Sequence, residues 1–445
     1  MSVAEAAARA RLATEEILAS MESVPRGVVV DSPPGAGKST LVVRAATELV
    51  RRGHRVMVIA QTNEQVDDRT DVLAGYLAGH DGDLRIGRLY SESHRVGRRV
   101  ERHQSVVSAK SAGELLECQV VLSTAHKWAT VTSDEQWAWA IVDEAYQMRS
   151  DLLLRVAGLF AKALFVGDPG QLDPFSVVEV DRWSGLSWDP TTSAVEVLLN
   201  HNDHVPVKRL PVSWRLPASA APVVSEAFYP FNPFTAATSP QERRLEFGAS
   251  ALGDNSVDRA LELAARSGWA LYELPRAHKP RTDREAVRAC AELAARLLER
   301  AARTISERSP DPLPVTPDRI AVGTAHRDQA TAVRAALAER GAESVTVDTA
   351  NRLQGREFDV TIVLHPLSGR RDATAFHLEA GRLCVLTSRH RHACVVVARK
   401  GIPDLLDAHP SVAPVHLNVP VKFPDGWEAQ QAIMAHLERH RVAAP

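Results

Sequence analysis

The chain has 445 residues, enough for about two or three domains, and 45% of them are hydrophobic, which is ample for sizeable cores. Net charge is −2 and the isoelectric point is about 6.8, so the chain lacks the overall basic balance usual for a dedicated nucleic-acid-binding domain. Cys118, Cys290, Cys384 and Cys394 show no C-x-x-C spacing, which argues against a disulfide framework and a zinc site, and no apolar run approaches the ~20 residues that span a bilayer.

Residues 3–22 read as an alanine-rich amphipathic helix. It lacks the apolar centre and cleavage site of a signal peptide, so a cytoplasmic chain is expected. Val28 to Val30 are β-branched and read as a buried strand. SPPGAGKST reads as a turn, and Leu41 to Val50 as a helix with apolar residues at helical spacing. Strand, glycine loop, Lys-Ser and helix is the architecture of a phosphate-binding loop. Gly35 and Gly37 let consecutive N–H groups point at one anion, and the helix N-terminus adds partial positive charge. Pro34, Gly35, Ala36, Gly37, Lys38, Ser39 and Thr40 form the candidate nucleotide cradle. Lys38 is placed to reach the β- and γ-phosphates, and the Ser39 hydroxyl to hold Mg²⁺. The pattern asks for glycine at position 32, where the chain has Ser32.

RVMVIA (Arg55–Ala60) is a second buried strand with a polar turn behind it. Open α/β sheets place ligand contacts at such turns. Thr62 and Asn63 there read either as contacts to a nucleic-acid backbone or as a helix cap. Residues 64–79 read as helix. The window 84–110 holds seven arginines or lysines against two acids, with Tyr90 among them. It reads as a solvated face or as a phosphate-contacting patch. Cys118–His126 is again strand then polar turn. Ala138 to Val142 is apolar and ends in Asp143-Glu144, a carboxylate pair at a strand end. Nucleotide hydrolysis needs such a pair, Asp143 beside Mg²⁺ and Glu144 to orient and deprotonate the attacking water. Ala163–Phe175 repeats the pattern, and its Gln171 is the candidate sensor of the γ-phosphate. His201-Asn202-Asp203-His204 lacks the partner cluster a metal site requires.

LPVSWRLP (Leu210–Pro217) reads as a linker into a new domain, with Trp183 and Trp188 in the mixed stretch before it. Residues 225–265 show no clear period. Ala286–Ile305 reads as one long helix and Ser309–Asp318 as a proline-rich surface loop. Alternation of strand and helix then resumes: RIAVGTAH, a helix stopped by Gly341, SVTVDTA, VTIVLHPL, GRLCVLTSR as a strand with its turn, ACVVVARK, and a closing helix. A second parallel sheet with helical crossovers is the economical arrangement.

The motifs SPPGAGKST, VIAQTNEQVD, VLSTAH, VDEAYQ, VGDPGQLDP, SWRLP, VGTAHRDQ, TVDTANRLQGREFD and VLTSRHR stand in this order. As a set they resemble the superfamily 1 helicases, and most closely their 1B branch of RecD-type and nonsense-mediated-decay-type helicases. The resemblance covers about 26–400, apart from roughly 225–315. It implies an α/β fold of two tandem RecA-like P-loop NTPase domains with parallel sheets and short accessory insertions. The expected division is an N-terminal helix over 1–25, a first domain over 26–208 with a small insertion at about 64–118, and a second over 209–445 with an insertion at about 228–315. The implied activity is ATP hydrolysis between the domains, driving 5′-to-3′ movement along a single strand, DNA rather than RNA, with ATP and Mg²⁺ as cofactors. Position by position, Lys38, Asp143, Glu144 and Gln171 match the hydrolytic set, Arg215 the first arginine finger and Arg389 the second, with Arg391 as the alternative. Gln354, Gly355, Arg356 and Glu357 match the motif that couples nucleotide to strand, and Glu357 is placed with the cofactor-binding residues. Thr62, Asn63, Ser123, Thr124, Arg327 and Thr349 match positions that touch the nucleic-acid backbone. The chain departs from the family in lacking the glutamine that reads adenine before the phosphate loop. The competing expectation is a non-translocating ATPase switch acting on a protein partner. A P-loop kinase or GTPase leaves the arginine-bearing second half unexplained.

Overall fold

The computed structural model describes residues 2–78, 84–132, 136–172, 174, 192–248, 255–279, 281–410 and 425–445. Trp183 and Trp188 lie outside these. The apolar runs of the first half become β1 (Gly27–Asp31), β2 (Val56–Ala60), β3 (Ile86–Leu89), β4 (Val106–Ala109), β5 (Val120–Thr124), β6 (Trp137–Asp143), β7 (Phe160–Gly167) and β8 (Val207–Arg209). They pair parallel throughout in the order β4-β3-β5-β2-β6-β7-β1-β8. Strands of a parallel sheet covered on both faces are apolar on both faces, and every residue of β1 and β2 is buried. Leu41, Val42 and Leu49 of a helix, α2 (Lys38–Arg51), pack on one side. Met57, Trp128 and Phe165 pack on the other.

The register fixes the site. Asp31 of β1 lies beside Gly167 of β7, and Val166 of β7 lies beside Asp143 of β6. The carboxyl ends of the three strands are therefore level, and the turns leaving them share one edge. The N-terminal helix α1 (Val3–Ser23) starts with a capping box between Ser2 and Glu5. It packs Ile17 and Met21 on the first core, and Ala6 on Val212 and Ala237 of the second half.

The second half opens with a short parallel pair, β9 (Val212–Ser213) and β10 (Thr235–Ala236). An antiparallel sheet follows from β11 (Arg244–Phe247), β13 (Ala302–Ser306) and β14 (Ser309–Pro314). The main second sheet uses β12 (Trp269–Leu274), β15 (Ile320–Thr324), β16 (Thr346–Thr349), β17 (Phe358–Leu364), β18 (His390–Arg399) and β19 (Arg441–Ala443). All its neighbours are parallel, in the order β16-β15-β17-β18-β12-β19. The chain thus has two tandem α/β domains, each on a parallel sheet.

Three local expectations are corrected. GRLCVLTSR is not a strand: Ala380–Thr387 is a helix with every residue from Gly381 to Thr387 buried. A short apolar run reads the same for a buried strand and a buried helix, because neither face alternates. Ser309–Asp318 is not simply a loop, since Ser309–Pro314 forms β14. Its prolines are tolerated because β14 is an edge strand with one neighbour. The helix read over Ala286–Ile305 spans Arg284–Glu299 and stops before Ala301, whose φ of 47° no helix accepts. β13 follows.

The basic window is also resolved. It supplies β3 and β4 to the first sheet, and its cations meet acids on α3 (Asn63–Ala78). Arg88, with no exposed surface, donates to Asp67 at 2.7 Å, Asn63 at 3.0 Å and the Leu89 carbonyl at 2.6 Å. Arg99 pairs with Asp68, and Arg102 donates to Asp71 at 2.8 Å. Arg85, Arg88, Arg99 and Arg102 of the window are thus paired with acids, while Arg95, Arg98 and Lys110 lie exposed. Removing one partner of a buried ion pair costs about 3–5 kcal/mol, whereas an exposed pair contributes about 0–1 kcal/mol. Arg88→Ala is therefore expected to lower the urea midpoint of the first domain substantially. Arg85→Ala, which breaks the exposed Glu117 pair, is expected to leave it nearly unchanged.

Candidate functional site

The turn after β1 holds Gly35 and Gly37 at φ of 72° and 94°, the left-handed region that glycine occupies without strain. Gly37 is also the N-cap of α2, and no side chain caps that helix. The first N–H groups of α2 are thus left for a ligand rather than satisfied internally. Ser32 is absorbed without strain: its N–H donates to the Gly167 carbonyl at 2.8 Å, and it is not among the residues with positive φ. Gly35 has a second reason to be glycine, because a Cβ there would collide with the Cβ and backbone of Arg215. Thr40 lies exposed on the first turn of α2 and Ala36 is buried.

Lys38 reaches across the strand ends, its Nζ 3.9 Å from Glu144 and 3.7 Å from Asp168. Glu144 adopts φ 51° and ψ 47°, a conformation that costs a non-glycine residue on the order of 1–3 kcal/mol and clusters at active sites. Burial raises the Glu144 pKa above the ordinary glutamate value, and Asp143 pushes the same way against the opposing charge of Lys38. Gln147 donates to Glu144 at 3.5 Å. Asp168 collects the Gly170 N–H at 3.1 Å, the Tyr229 hydroxyl at 2.6 Å and the Gln171 amide. Among the described residues, the buried Gln171 Oε1 has no hydrogen-bond partner.

Asp143 holds a partner that sequence reasoning missed. Arg69 of α3 donates through Nε to its carboxylate. The hard oxygen donors of Ser39 and Asp143 suit Mg²⁺, which takes few protein ligands in nucleotide sites. The guanidinium already drawn to Asp143 shows that this carboxylate requires a cation. Ser39 and Asp143 are thus the residues that would hold Mg²⁺, which there neutralises phosphate charge.

The second half closes the site with arginines. The Trp214 N–H donates to the Gly35 carbonyl at 2.9 Å and the Ser213 hydroxyl to the Pro34 carbonyl at 2.6 Å, which roots Arg215 against the phosphate loop. Arg215 donates to Glu357 at 3.4 Å and Arg391 donates to the same carboxylate at 3.3 Å. Glu357, expected among the nucleotide contacts, is thus occupied in holding two arginines. Arg389 has no exposed surface, and among the described residues its Nη1 has no hydrogen-bond partner. Burial brings its pKa down to about 10, and the charge of Arg215 adds to this.

Two family models, both described as AAA domain, match the chain, one over residues 11–182 and the other over residues 191–401. With the phosphate loop, the strand-end acids and the facing arginines in place, these matches decide the family. The chain is a P-loop NTPase with two AAA domains. No protein of curated function matches its sequence. Among solved structures, it is similar to an arterivirus nonstructural protein 10 (helicase) with DNA, at 14% identity and a TM-score of 0.44, over 89% of this chain and 64% of that one. It is also similar to the PRRSV helicase, at 12% identity and a TM-score of 0.40, over 88% and 56%. A third is the DUF1998 helicase MrfA bound to DNA and AMPPNP, at 9% identity and a TM-score of 0.47, over 89% and 49%. The chain therefore spans between 49% and 64% of the length of these three structures.

A groove of about 730 Å³ runs between the two domains of this NTPase. Thr62, Arg327 and Thr349 of the expected strand contacts line it, together with Gln354, Arg149 and His126. Thr62 also accepts from the Gln65 N–H at 3.2 Å, so the cap reading and the groove position are both realised. Asn63 is turned to Arg88, and the Thr124 hydroxyl caps the helix Ala125–Trp128 by accepting from the Lys127 N–H at 3.2 Å. Ser123 is a correction: it is fully buried and donates to the Leu89 carbonyl at 2.7 Å, so its hydroxyl is spent inside the sheet. Phe376, 41% exposed, sits on the groove wall sandwiched by His326, stacked at 4.9 Å, and Arg382 at 3.7 Å. Nothing in the FHLEA stretch announces this, because the contact joins segments fifty residues apart.

Lys38→Ala is expected to abolish nucleotide turnover. Glu144→Gln is expected to keep nucleotide binding while lowering kcat by at least ~10²-fold, the usual weight of a general base. A base acts only when deprotonated, and Glu144 has a raised pKa. The acid limb of kcat/KM should therefore lie above the ordinary glutamate value of 4.5, with activity rising as pH rises through it. A limb at or below that value would contradict the assignment.

Proposed function

We propose that the chain is an ATP-driven translocase of the superfamily 1B kind, hydrolysing ATP between its domains and moving 5′ to 3′ along single-stranded DNA. One observation carries the reading: Arg215 of the second domain stands directly against the phosphate loop of the first, its Cβ and backbone in van der Waals range of Gly35. In this reading Lys38 and the free N–H groups of α2 bind the phosphates. Bound Mg²⁺ supplies further charge neutralisation. Glu144 takes the proton of the attacking water, which the unpartnered oxygen of Gln171 helps to orient. Arg215 and Arg389 meet the charge that develops on the transferred group. An arginine finger contributes about 10³–10⁵ in rate, and these two come from the opposite domain, so turnover depends on closure.

Arg389 is the better second finger. Its guanidinium is buried and short of one partner, whereas Arg391 is already engaged by Glu357 and Glu307. The sequence Gln354 to Glu357 supports coupling. Gln354 lines the groove and Glu357 holds Arg215, so three residues separate the strand path from the finger. Product release removes the charge that both domains grip. The groove then opens and closes once per cycle, and alternating hold on the strand becomes a step. Thr62 on the first domain, and Arg327 and Thr349 on the second, are the proposed holding points.

The pairing of Arg85, Arg88, Arg99 and Arg102 with acids favours a second reading, in which the same cleft switches a protein partner without travelling. Phosphate release measured with and without oligonucleotide separates the two. Single-stranded DNA is expected to stimulate turnover, and Arg327→Ala to reduce that stimulation without changing the basal rate. Turnover indifferent to single-stranded DNA, RNA and duplex alike would leave only the switch.

A further inference from the structure

We propose that Arg243 and Glu307 form a positioning clamp for Arg215, the first finger, carried by the antiparallel sheet set into the second domain. The proposal rests on the reading of Arg215 as a finger that meets the nucleotide.

Arg243 immediately precedes β11, and Glu307 sits in the turn between β13 and β14. The Arg243 side chain is 1% exposed. Its Nε and Nη2 donate to the two oxygens of Glu307 at 2.8 and 2.7 Å, a fork that only a guanidinium makes. Its remaining hydrogens go to main chain: Nη2 to the Trp214 carbonyl at 2.7 Å, and Nη1 to the carbonyls of Arg215 and, at 3.5 Å, Arg391. Residues 214–215 are not in a ladder, so those carbonyls depend on the contact. One side chain thus fixes the backbone of both arginines that share Glu357.

Glu307 completes the ring by accepting from Arg391 at 3.2 Å. Burial works against its charge, but the hydrogen bond and charge of Arg243, with Arg391 beside it, hold its pKa down to about 2. The neighbouring Arg308 extends from the same turn to Glu357, 3.9 Å away. Arg243 and the hairpin tip therefore touch Trp214, Arg215, Glu357 and Arg391 between them. This geometry suits holding the finger in register with the phosphate loop during closure. A displacement of about 1 Å at such a group costs roughly 10²-fold in rate.

The test is a double-mutant cycle on the full chain with Arg243→Ala, Arg215→Ala and the pair, following kcat, KM for ATP and the melting temperature. Arg243→Ala is expected to lower kcat by roughly 10²-fold with KM little changed. The double variant should be no slower than Arg215→Ala alone, because the clamp acts only through the finger. A merely structural role would instead multiply the two losses. Multiplied losses, or wild-type kcat in Arg243→Ala, would overturn the clamp while leaving the finger reading intact. Wild-type kcat in Arg215→Ala would overturn both. If Arg243→Ala does not fold, the near-isosteric Glu307→Gln carries the same cycle. It should show the same loss and the same non-additivity, and full activity there would overturn the proposal.

Discussion

The carboxyl edge of the first sheet gathers more negative charge than it can balance. Asp143, Glu144 and Asp168 converge there, and the cations within reach are Lys38 and Arg69. A nucleotide brings several further negative charges to the same edge. In a site of low dielectric, that excess must be met by charge from elsewhere. Burial chiefly, with Asp143 and Asp168 adding to it against Lys38 and Arg69, raises the Glu144 pKa. The second domain is built with the opposite imbalance. Arg215, Arg391, Arg243 and Arg308 surround two carboxylates, Glu307 and Glu357, and Arg389 waits behind them without a carboxylate of its own. The two lobes carry opposite imbalances: phosphates bound between them would add to the negative excess of the first and be met by the guanidinium groups of the second.

The sheet topology makes the convergence possible. Because β6, β7 and β1 are adjacent, parallel and in register, the turns after Asp31, Asp143 and Gly167 leave from one line. Ligand binding beyond the carboxyl ends of such strands follows from this geometry. The contacts of Ser213 and Trp214 with Pro34 and Gly35 then bring the start of the second domain to the same point.

Much of this was legible in the residues. Buried parallel strands announce themselves as unbroken apolar runs, and the turns after them carry their polar groups in one place, as with Gly35 to Ser39, Asp143-Glu144 and Asp168 to Gln171. What escaped was of a different physical kind. The helix Ala380–Thr387 is buried on all sides and so shows no period. Arg69, Tyr229 and Arg243 act through partners 28 to 148 residues away, and nothing local marks a helix arginine as bound for a distant acid. Ser123 failed in the opposite direction: its position after a strand suggested a surface contact, but the extra strands β3 and β4 cover it and take its hydroxyl.

The central claim is that charge missing from one lobe is supplied by the other. The most direct measurement is a crystal structure of the chain with ADP and aluminium fluoride, a mimic of the transferred phosphoryl group. The account predicts the Arg215 and Arg389 guanidiniums within hydrogen-bond distance of the fluoroaluminate, about 2.7–3.2 Å, with Lys38 on its other side. A fluoroaluminate held by first-domain residues alone, with Arg215 still on Glu357 and Arg389 still turned to Ser388, would contradict it.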